Sequence, residues 1–195
     1  MKTLFARAVI AVLVLVIFMF LNNTSLFSKP PAGKPRMLAH RGLAQTFDIN
    51  GLKWDSNTAS MIHKPVHPFI ENTIPSMREA FDLGANMVEF DVRLTSDQKL
   101  AVFHDFLLDY RTDGKGLVAS FTMAELRKLD VGYGYTADGG KTYPFRGRGT
   151  SLIVSAEEVF AAFPDKSFLI HVKDGGETVG RLLAAQFKSK SPEWL

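Results

Sequence analysis

Met87 to Leu94 reads MVEFDVRL, and its alternation decides the architecture. Side chains along a strand point to opposite faces in turn, so Glu89 and Asp91 share one face while Val88, Phe90 and Val92 share the other. The apolar face is suited to packing under helices. The acidic face carries two carboxylates that repel each other unless something cationic lies between them. Ca²⁺ and Mg²⁺ take oxygen ligands, so a hard divalent cation suits the pair. The rival reading, an exposed edge strand with its polar residues turned outward, fits less well because apolar residues flank the pair on both sides.

Working outward, Thr95 to Gln98 reads as a turn, and Leu100 to Phe103 as a short strand running into His104-Asp105. Upstream, Asn72 or Thr73 caps a predicted helix through Leu83, which Gly84 ends. Before that lies an irregular stretch from 43 to about 70, with Asn50-Gly51, Pro65 and Pro68 and no clear period. Met37 to His40 is a short apolar run that ends in Arg41-Gly42, read as a buried strand followed by a loop. Downstream, Thr122-x-x-Glu125 and Ser155-x-x-Glu158 are capping-box patterns that open helices ending near Leu129 and before Pro164. Phe168 to Val172 reads as a strand, Gly175-Gly176 as a break, and Glu177 to Lys188 as an amphipathic helix. Apolar strands alternating with helices predict βα units and a parallel sheet, the α/β class.

The chain has 195 residues, a net charge of +3 and no cysteine. Without cysteine there is no disulfide framework, no Cys-ligated metal and no thiol nucleophile. The basic excess is small and scattered, with no basic helix or aromatic-interleaved patch, so nucleic acid is not an expected partner. Residues 8–21 read AVIAVLVLVIFMFL after Lys2 and Arg7. This is a signal anchor or a signal peptide over 1–24, with a transmembrane helix at about 4–21 and the positive flank on the cytoplasmic side. The run is short for a span of ~20 residues, but no Ala-x-Ala cleavage site closes it, which favours an anchor. Residues 25–36, with KPPAGKP at 29–35, read as a Pro-rich linker. The folded domain is placed at 37–195, membrane-anchored or secreted on the exported side.

Four polar groups fall where strands end. His40 closes the first strand, Glu89 and Asp91 lie on the second, and His104 ends the short one. A histidine gives or takes a proton near neutral pH. Arg41 offers a planar fork that matches phosphate oxygens. Together these residue types point to metal-assisted phosphoryl transfer. Gly139-Gly140-Lys141-Thr142 looks like the end of a phosphate-binding P-loop, but Tyr135 stands where that motif needs glycine and no strand leads into it.

In order, His40-Arg41-Gly42, Glu71-Asn72-Thr73, Val88 to Val92 with Thr95-Ser96-Asp97, and Val102-Phe103-His104-Asp105 resemble the glycerophosphodiester phosphodiesterase family, from about Leu38 to about Lys173. The resemblance implies a TIM (β/α)8 barrel of the phospholipase-C-like type, with its site at the C-terminal strand ends. It implies His40 and His104 as the acid/base pair, Glu89 and Asp91 as ligands of a divalent ion, and Arg41 and Lys173 at the phosphate. Glu71 would orient His40 or Arg41 or touch the metal. The substrate class would be small glycerophosphodiesters, hydrolysed to glycerol 3-phosphate and an alcohol.

The chain departs from the family pattern in three ways. His171 stands where a third acidic ligand is usual, which favours Mn²⁺- or Zn²⁺-like ions over Ca²⁺ or Mg²⁺, lowers activity, or passes part of the role to Asp174. The stretch between Gly42 and Glu71 is long, and its His63 and His67 are read as loop histidines more readily than as substrate contacts. A barrel needs roughly 250 residues, so the chain reads as the first half of one, an N-terminal fragment expected to be inactive alone, with Trp194 and Leu195 suited to packing. Two other readings stay open here: a lysophospholipase D or sphingomyelinase-D-like activity on lipid head groups, and a catalytically silent membrane-tethered relative.

Overall fold

A computed structural model describes residues 2–24, 33, 35–53 and 55–188. The chain divides into two units, Met1–Pro35 and Arg36–Leu195. In the first, α1 (Lys2–Asn23) is a 22-residue helix. It extends past the uncharged run at both ends and, at ~1.5 Å per residue, reaches ~33 Å, enough to cross a hydrocarbon core. None of its apolar stretch is buried. Signal sequences share this length and composition. Most of the Pro-rich 25–36 and the terminal Trp194 and Leu195 lie outside the described residues.

The second unit runs β1 (Leu38–His40), α2 (Ile74–Asp82), β2 (Met87–Leu94), β3 (Leu100–Val102), α3 (Met123–Leu126), α4 (Ala156–Ala162), β4 (Ser167–Val172) and α5 (Glu177–Lys188). β2 is the hub. It pairs in parallel with β1, His40 opposite Glu89, and in parallel with β4, Leu169 opposite Glu89 and His171 opposite Asp91. Antiparallel β3 pairs with the last residues of β2, Val102 opposite Val92. Because Glu89 is opposite both His40 and Leu169, and Val92 opposite both Val102 and Val172, β1 and β3 share one edge of β2 and β4 takes the other. The sheet does not close on itself. β2 is therefore a central strand and is buried for most of its length, which answers the edge-strand alternative.

Alternation on β2 sorts the packing as expected. Val88, Phe90 and Val92 join Met77, Ala80 and Phe81 of α2 and Val159 and Phe160 of α4 in one core. Phe168 of β4, partly buried, packs against it, with ring centroids 5.4 Å from Phe90 and 5.6 Å from Phe81. A second core, with Phe103, Leu108, Leu126, Tyr135 and Phe145, gathers the irregular chain between β3 and α4. Ala59, Ile62 and Ile70 belong to it, so the long stretch after Gly42 is anchored rather than loose. It contains a 3₁₀ turn, Thr58–Met61.

Helix boundaries follow their caps. Thr73 and Ser76 exchange side-chain and backbone hydrogen bonds at the start of α2, and Gly84 follows its end with φ 99°. Asn72 is not the cap. Ser155 and Glu158 make the same reciprocal box on α4. Thr122 and Glu125 do so on α3, but that helix ends at Leu126 rather than near Leu129.

The turn after β1 places the strand end against α2. Gly42 has φ 75°, and a Cβ there would lie 2.6 Å from Ser76 Oγ and 2.9 Å from Met77 N. Gly51 has a similar φ of 74° with nothing within 4 Å. Gly51→Ala therefore meets only the left-handed backbone cost, about 1 kcal/mol, whereas Gly42→Ala adds steric overlap and is expected to lose at least about 2 kcal/mol more. Urea unfolding of the two variants measures the difference, and equal losses would contradict the close-approach argument.

Candidate active site

The site is built on the end of β1, the middle of β2 and the last residues of β4. His40 ends β1 with its ring mostly exposed, and its Nε2 lies 3.9 Å from Glu89 Oε2. The next residue, Arg41, turns the chain with φ 58°. Its backbone N–H donates to Glu89 Oε2 (3.1 Å), and its guanidinium turns inward, Nη1 donating to Glu71 Oε1 (2.8 Å) and Nε lying 3.2 Å from Asp91 Oδ2. Asn72, also at φ 58°, clamps Asp91 from both sides: its Nδ2 donates to Asp91 Oδ2 (2.9 Å) and its Oδ1 accepts from Asp91 N (3.2 Å).

Parallel register brings β4 into the same cluster. His171 lies beside Asp91, with its Nδ1 3.4 Å from Asp91 Oδ1 and 3.7 Å from Glu89 Oε1. One donor atom from each of Glu89, Asp91 and His171 falls within 4.8 Å of the others. Lys173 Nζ lies 3.2 Å from Asp91 Oδ1. That oxygen is buried and receives no well-aligned hydrogen bond, so Lys173 meets it as an ion pair only.

The charges respond to these neighbours. Burial and the Asp91 charge push the Glu89 carboxyl above its ordinary value, against a smaller opposing pull from His40. Burial alone would also raise Asp91, but Arg41, the Asn72 amide, His104 and Lys173 together hold it below the usual range. The same contest, won by Arg111 and Arg41, keeps Glu71 low.

His104 follows β3 and is partly buried, its Nδ1 2.7 Å from Asp105 Oδ1. Burial raises the Asp105 carboxyl, yet Arg111 and His104 hold it low. Because an ionised carboxylate only accepts, Nδ1 carries the proton and Nε2 is left without one in the neutral ring. His104, Asp105, Arg93, Phe106 and Lys173 line a cavity of about 400 Å³. A second cavity of about 450 Å³ is lined by His40, Arg41, Gln45, Phe47 and Glu71.

Several predicted residues have other engagements. Glu71 is held on both oxygens, by Arg41 Nη1 and by Arg111 Nη1 at 3.2 Å. It pairs with Arg41 and lies outside the Glu89, Asp91 and His171 triad. Asp174 accepts from Arg93 Nη1 (2.6 Å) and Leu94 N (2.7 Å), so both of its oxygens are engaged with β2. His63 Nδ1 pairs with Thr46 Oγ1, and His67 Nδ1 with Gln45 Nε2, as loop histidines do. In the Gly139–Thr142 loop, Asp138 accepts from Thr142 Oγ1, Thr142 N and Lys141 N, which brings its carboxyl down to about 2. A fixed anion thus fills the place a phosphate would need. Sequence reasoning missed the role of Asn72, the tie of Asp105 to His104, and Arg111 altogether. Asp105 carried a signal in its adjacency to His104, and Asn72 in the Glu71-Asn72-Thr73 block; Arg111 carried none.

Glu71 and Asp105 have folded-state values below their ordinary 4.5 and 3.8. Depressed carboxylates stabilise the fold above the unfolded value and lose that contribution as pH falls through the folded one. The thermal midpoint is expected to be flat near about pH 6 and to fall steadily below about pH 4.5. A circular dichroism melting series that stays level down to about pH 3 would contradict this pairing.

The glycerophosphoryl diester phosphodiesterase family model matches residues 40–182. A glycerophosphodiester phosphodiesterase of Caldanaerobacter subterraneus subsp. tengcongensis is 41% identical over 103 residues, 53% of this chain and 39% of that protein. One of Bacillus altitudinis is 41% identical over 75 residues, 38% of this chain and 31% of that protein. Among solved structures, the glycerophosphoryl diester phosphodiesterase domain of a Mycobacterium tuberculosis protein superposes with TM-score 0.59 at 24% identity, over 82% of this chain and 52% of that one. An Oleispira antarctica phosphodiesterase in complex with the product sn-glycerol-3-phosphate gives 0.57 at 24% identity, over 83% and 55%. The chain thus spans well under half of these curated relatives and about half of the solved chains. The likenesses fix the fold of the second unit as an incomplete, unclosed barrel of the TIM type, and the chain belongs to the glycerophosphoryl diester phosphodiesterase family.

Proposed function

We propose that this chain contributes to metal-dependent hydrolysis of glycerophosphodiesters to glycerol 3-phosphate and an alcohol, within glycerol and phospholipid metabolism. One observation carries the reading: the convergence of Glu89, Asp91 and His171 donor atoms within 4.8 Å, at the same sheet end as His40, Arg41 and Lys173. The residues fit a divalent ion. Asp91 Oδ1 is buried and lacks a well-aligned donor, and two carboxylates with one imidazole suit Mg²⁺ or Ca²⁺ less well than Mn²⁺ or Zn²⁺. Glu89, Asp91 and His171 would hold the ion; when bound, it polarises phosphoryl oxygens and acidifies a hydroxyl or water.

The protein's own groups do the rest. Arg41 and Lys173 lend positive charge where the phosphate gains negative charge in the transition state. His40 and His104 lie at the ends of different strands and serve as the acid/base pair. His104 has an unprotonated Nε2 ready to accept a proton in its neutral form, and the other imidazole protonates the departing alkoxide. The apolar α1 acts as a signal anchor or signal peptide that places the domain on the exported side.

The decisive assay, run on a protein that carries this chain within a closed barrel, is release of sn-glycerol 3-phosphate from glycerophosphocholine after EDTA treatment and add-back of Mn²⁺, Zn²⁺, Mg²⁺ or Ca²⁺. Preference for a lysophospholipid substrate would favour the lipid-directed alternative. Failure to bind any of these ions by calorimetry would favour the silent relative. His40→Ala is expected to lower turnover about 10²–10⁴-fold while ion affinity stays within about twofold. Asp91→Asn is expected to weaken ion affinity by roughly 10–100-fold as well. His171→Glu is expected to raise Ca²⁺ affinity relative to Zn²⁺, since carboxylate oxygen suits the harder ion; an unchanged ratio would remove His171 from the ligand set.

A further inference from the structure

We infer that Arg111 is a positioning residue that sets His104 and Arg41 together, through one buried guanidinium. The inference rests on the phosphodiesterase reading for what those two residues do, but not for the contacts that join them.

Arg111 follows a short 3₁₀ turn, Leu108–Tyr110, well away from the sheet in sequence, and only 2% of it is exposed. It reaches four segments. Nε lies 2.8 Å from Asp105 Oδ2, and Nη1 lies 3.2 Å from Glu71 Oε2. Nη1 also donates to Tyr135 Oη (2.8 Å), and Nη2 to Thr58 Oγ1 (2.8 Å). The two carboxylates are the informative partners. Asp105 accepts from His104 Nδ1 through its other oxygen, and Glu71 accepts from Arg41 Nη1 through its other oxygen. Each carboxylate is thus a two-sided bridge, and Arg111 holds the rear of both. One arm fixes the His104 tautomer and ring plane; the other fixes the inward-turned Arg41 guanidinium, which the phosphodiesterase reading assigns to the phosphate.

The geometry has a reason to need arginine. Glu71 is buried and Asp105 partly so, and the Asp105 charge raises the cost of ionising Glu71. A single cation between them removes that repulsion. Only a planar fork can address two carboxylates, a phenol and a hydroxyl at once, whereas a lysine ammonium is a compact point charge on a flexible stem. Tyr135 and Thr58 take two further N–H groups, so four of the five N–H directions are engaged and the guanidinium has little freedom to turn. Close approach of the backbone helps: a Cβ on Gly134 would overlap the carbonyl of Tyr110, so glycine there is what lets Tyr135 stand beside Arg111.

A purely structural buried arginine would contribute to stability and nothing else. The experiment therefore uses two readouts on the full chain. Histidine-¹⁵N NMR reads the His104 tautomer, which needs no ligand or turnover. Calorimetry reads affinity for sn-glycerol 3-phosphate, which reports on Arg41. Asp105→Asn should change the tautomer and leave affinity within about twofold. Glu71→Gln should weaken affinity roughly tenfold and leave the tautomer alone. Arg111→Lys, with an intact amide fingerprint, should move both. A folded Arg111→Lys protein with the wild-type tautomer and affinity would overturn the inference. Should that variant not fold, Tyr135→Phe, which frees one N–H of the guanidinium, must shift both readouts in the same direction, and no shift in either is equally fatal. Absence of sn-glycerol 3-phosphate binding by the parent chain would count against the phosphodiesterase reading instead, and the tautomer arm would still decide the role of Arg111.

Discussion

A fully buried, ionised aspartate constrains the rest of the site. Asp91 is 0% exposed, and taking a carboxylate out of water is costly unless charge and hydrogen bonds replace what the solvent gave. Arg41, Asn72 and Lys173 supply that replacement from three segments far apart in sequence. Each must arrive at a defined place on β2, so the position of Asp91 fixes where β1 ends, where α2 begins and how far β4 runs. Glu89, two residues earlier on the same face, has weaker support from the Arg41 N–H and His40, and burial and the Asp91 charge push it the other way. The pair is therefore unequal before any ligand arrives: one carboxylate is held charged by its cations, and the other is held back by its neighbour.

This inequality explains two unusual backbone positions. Arg41 and Asn72 both adopt left-handed φ near 58°, which costs a residue with a side chain about 1–2 kcal/mol. Arg41 must leave β1 with its N–H toward Glu89 and its guanidinium toward Asp91 and Glu71 at once. Asn72 must present both ends of its amide to Asp91 while the next residue starts a helix. The electrostatic gain at a buried charge is larger than the local strain. The two bends are also joined directly, because Asn72 N donates to the Arg41 carbonyl at 2.9 Å.

Much of this was legible in the sequence because it depends on period and on local caps. The alternation of MVEFDVRL predicted which face of β2 is core and which is chemistry. The capping boxes at Ser155 and Thr122 predicted helix starts within a residue, although α3 was shorter than its pattern implied. The resemblance of four ordered blocks gave the fold. Long-range charge pairing was not legible. Nothing in the chain around Arg111 marks it as different from the exposed Arg127 or Arg146. Its burial arises only because the irregular chain after β3 folds back over the site into a second core. Glu71 shows the same limit: its spacing to Arg41 could not reveal that both of its oxygens would be taken by guanidinium groups.

His171 draws these strands of argument together. Register places it opposite Asp91 on β4, where a third carboxylate would add negative charge beside two already in repulsion. In this chain Lys173, two residues on, leans on the same Asp91 oxygen that His171 faces. A carboxylate at 171 would improve the charge balance with Lys173 and Arg41, but it would deepen the strain on Glu89. A neutral imidazole adds a donor without adding charge. Under the proposed reading, the trade lowers attraction for a hard cation, whose binding depends on accumulated carboxylate charge. It keeps attraction for ions that accept nitrogen, and it leaves the Glu89–Asp91 pair less dependent on a bound ion to hold the strand end together.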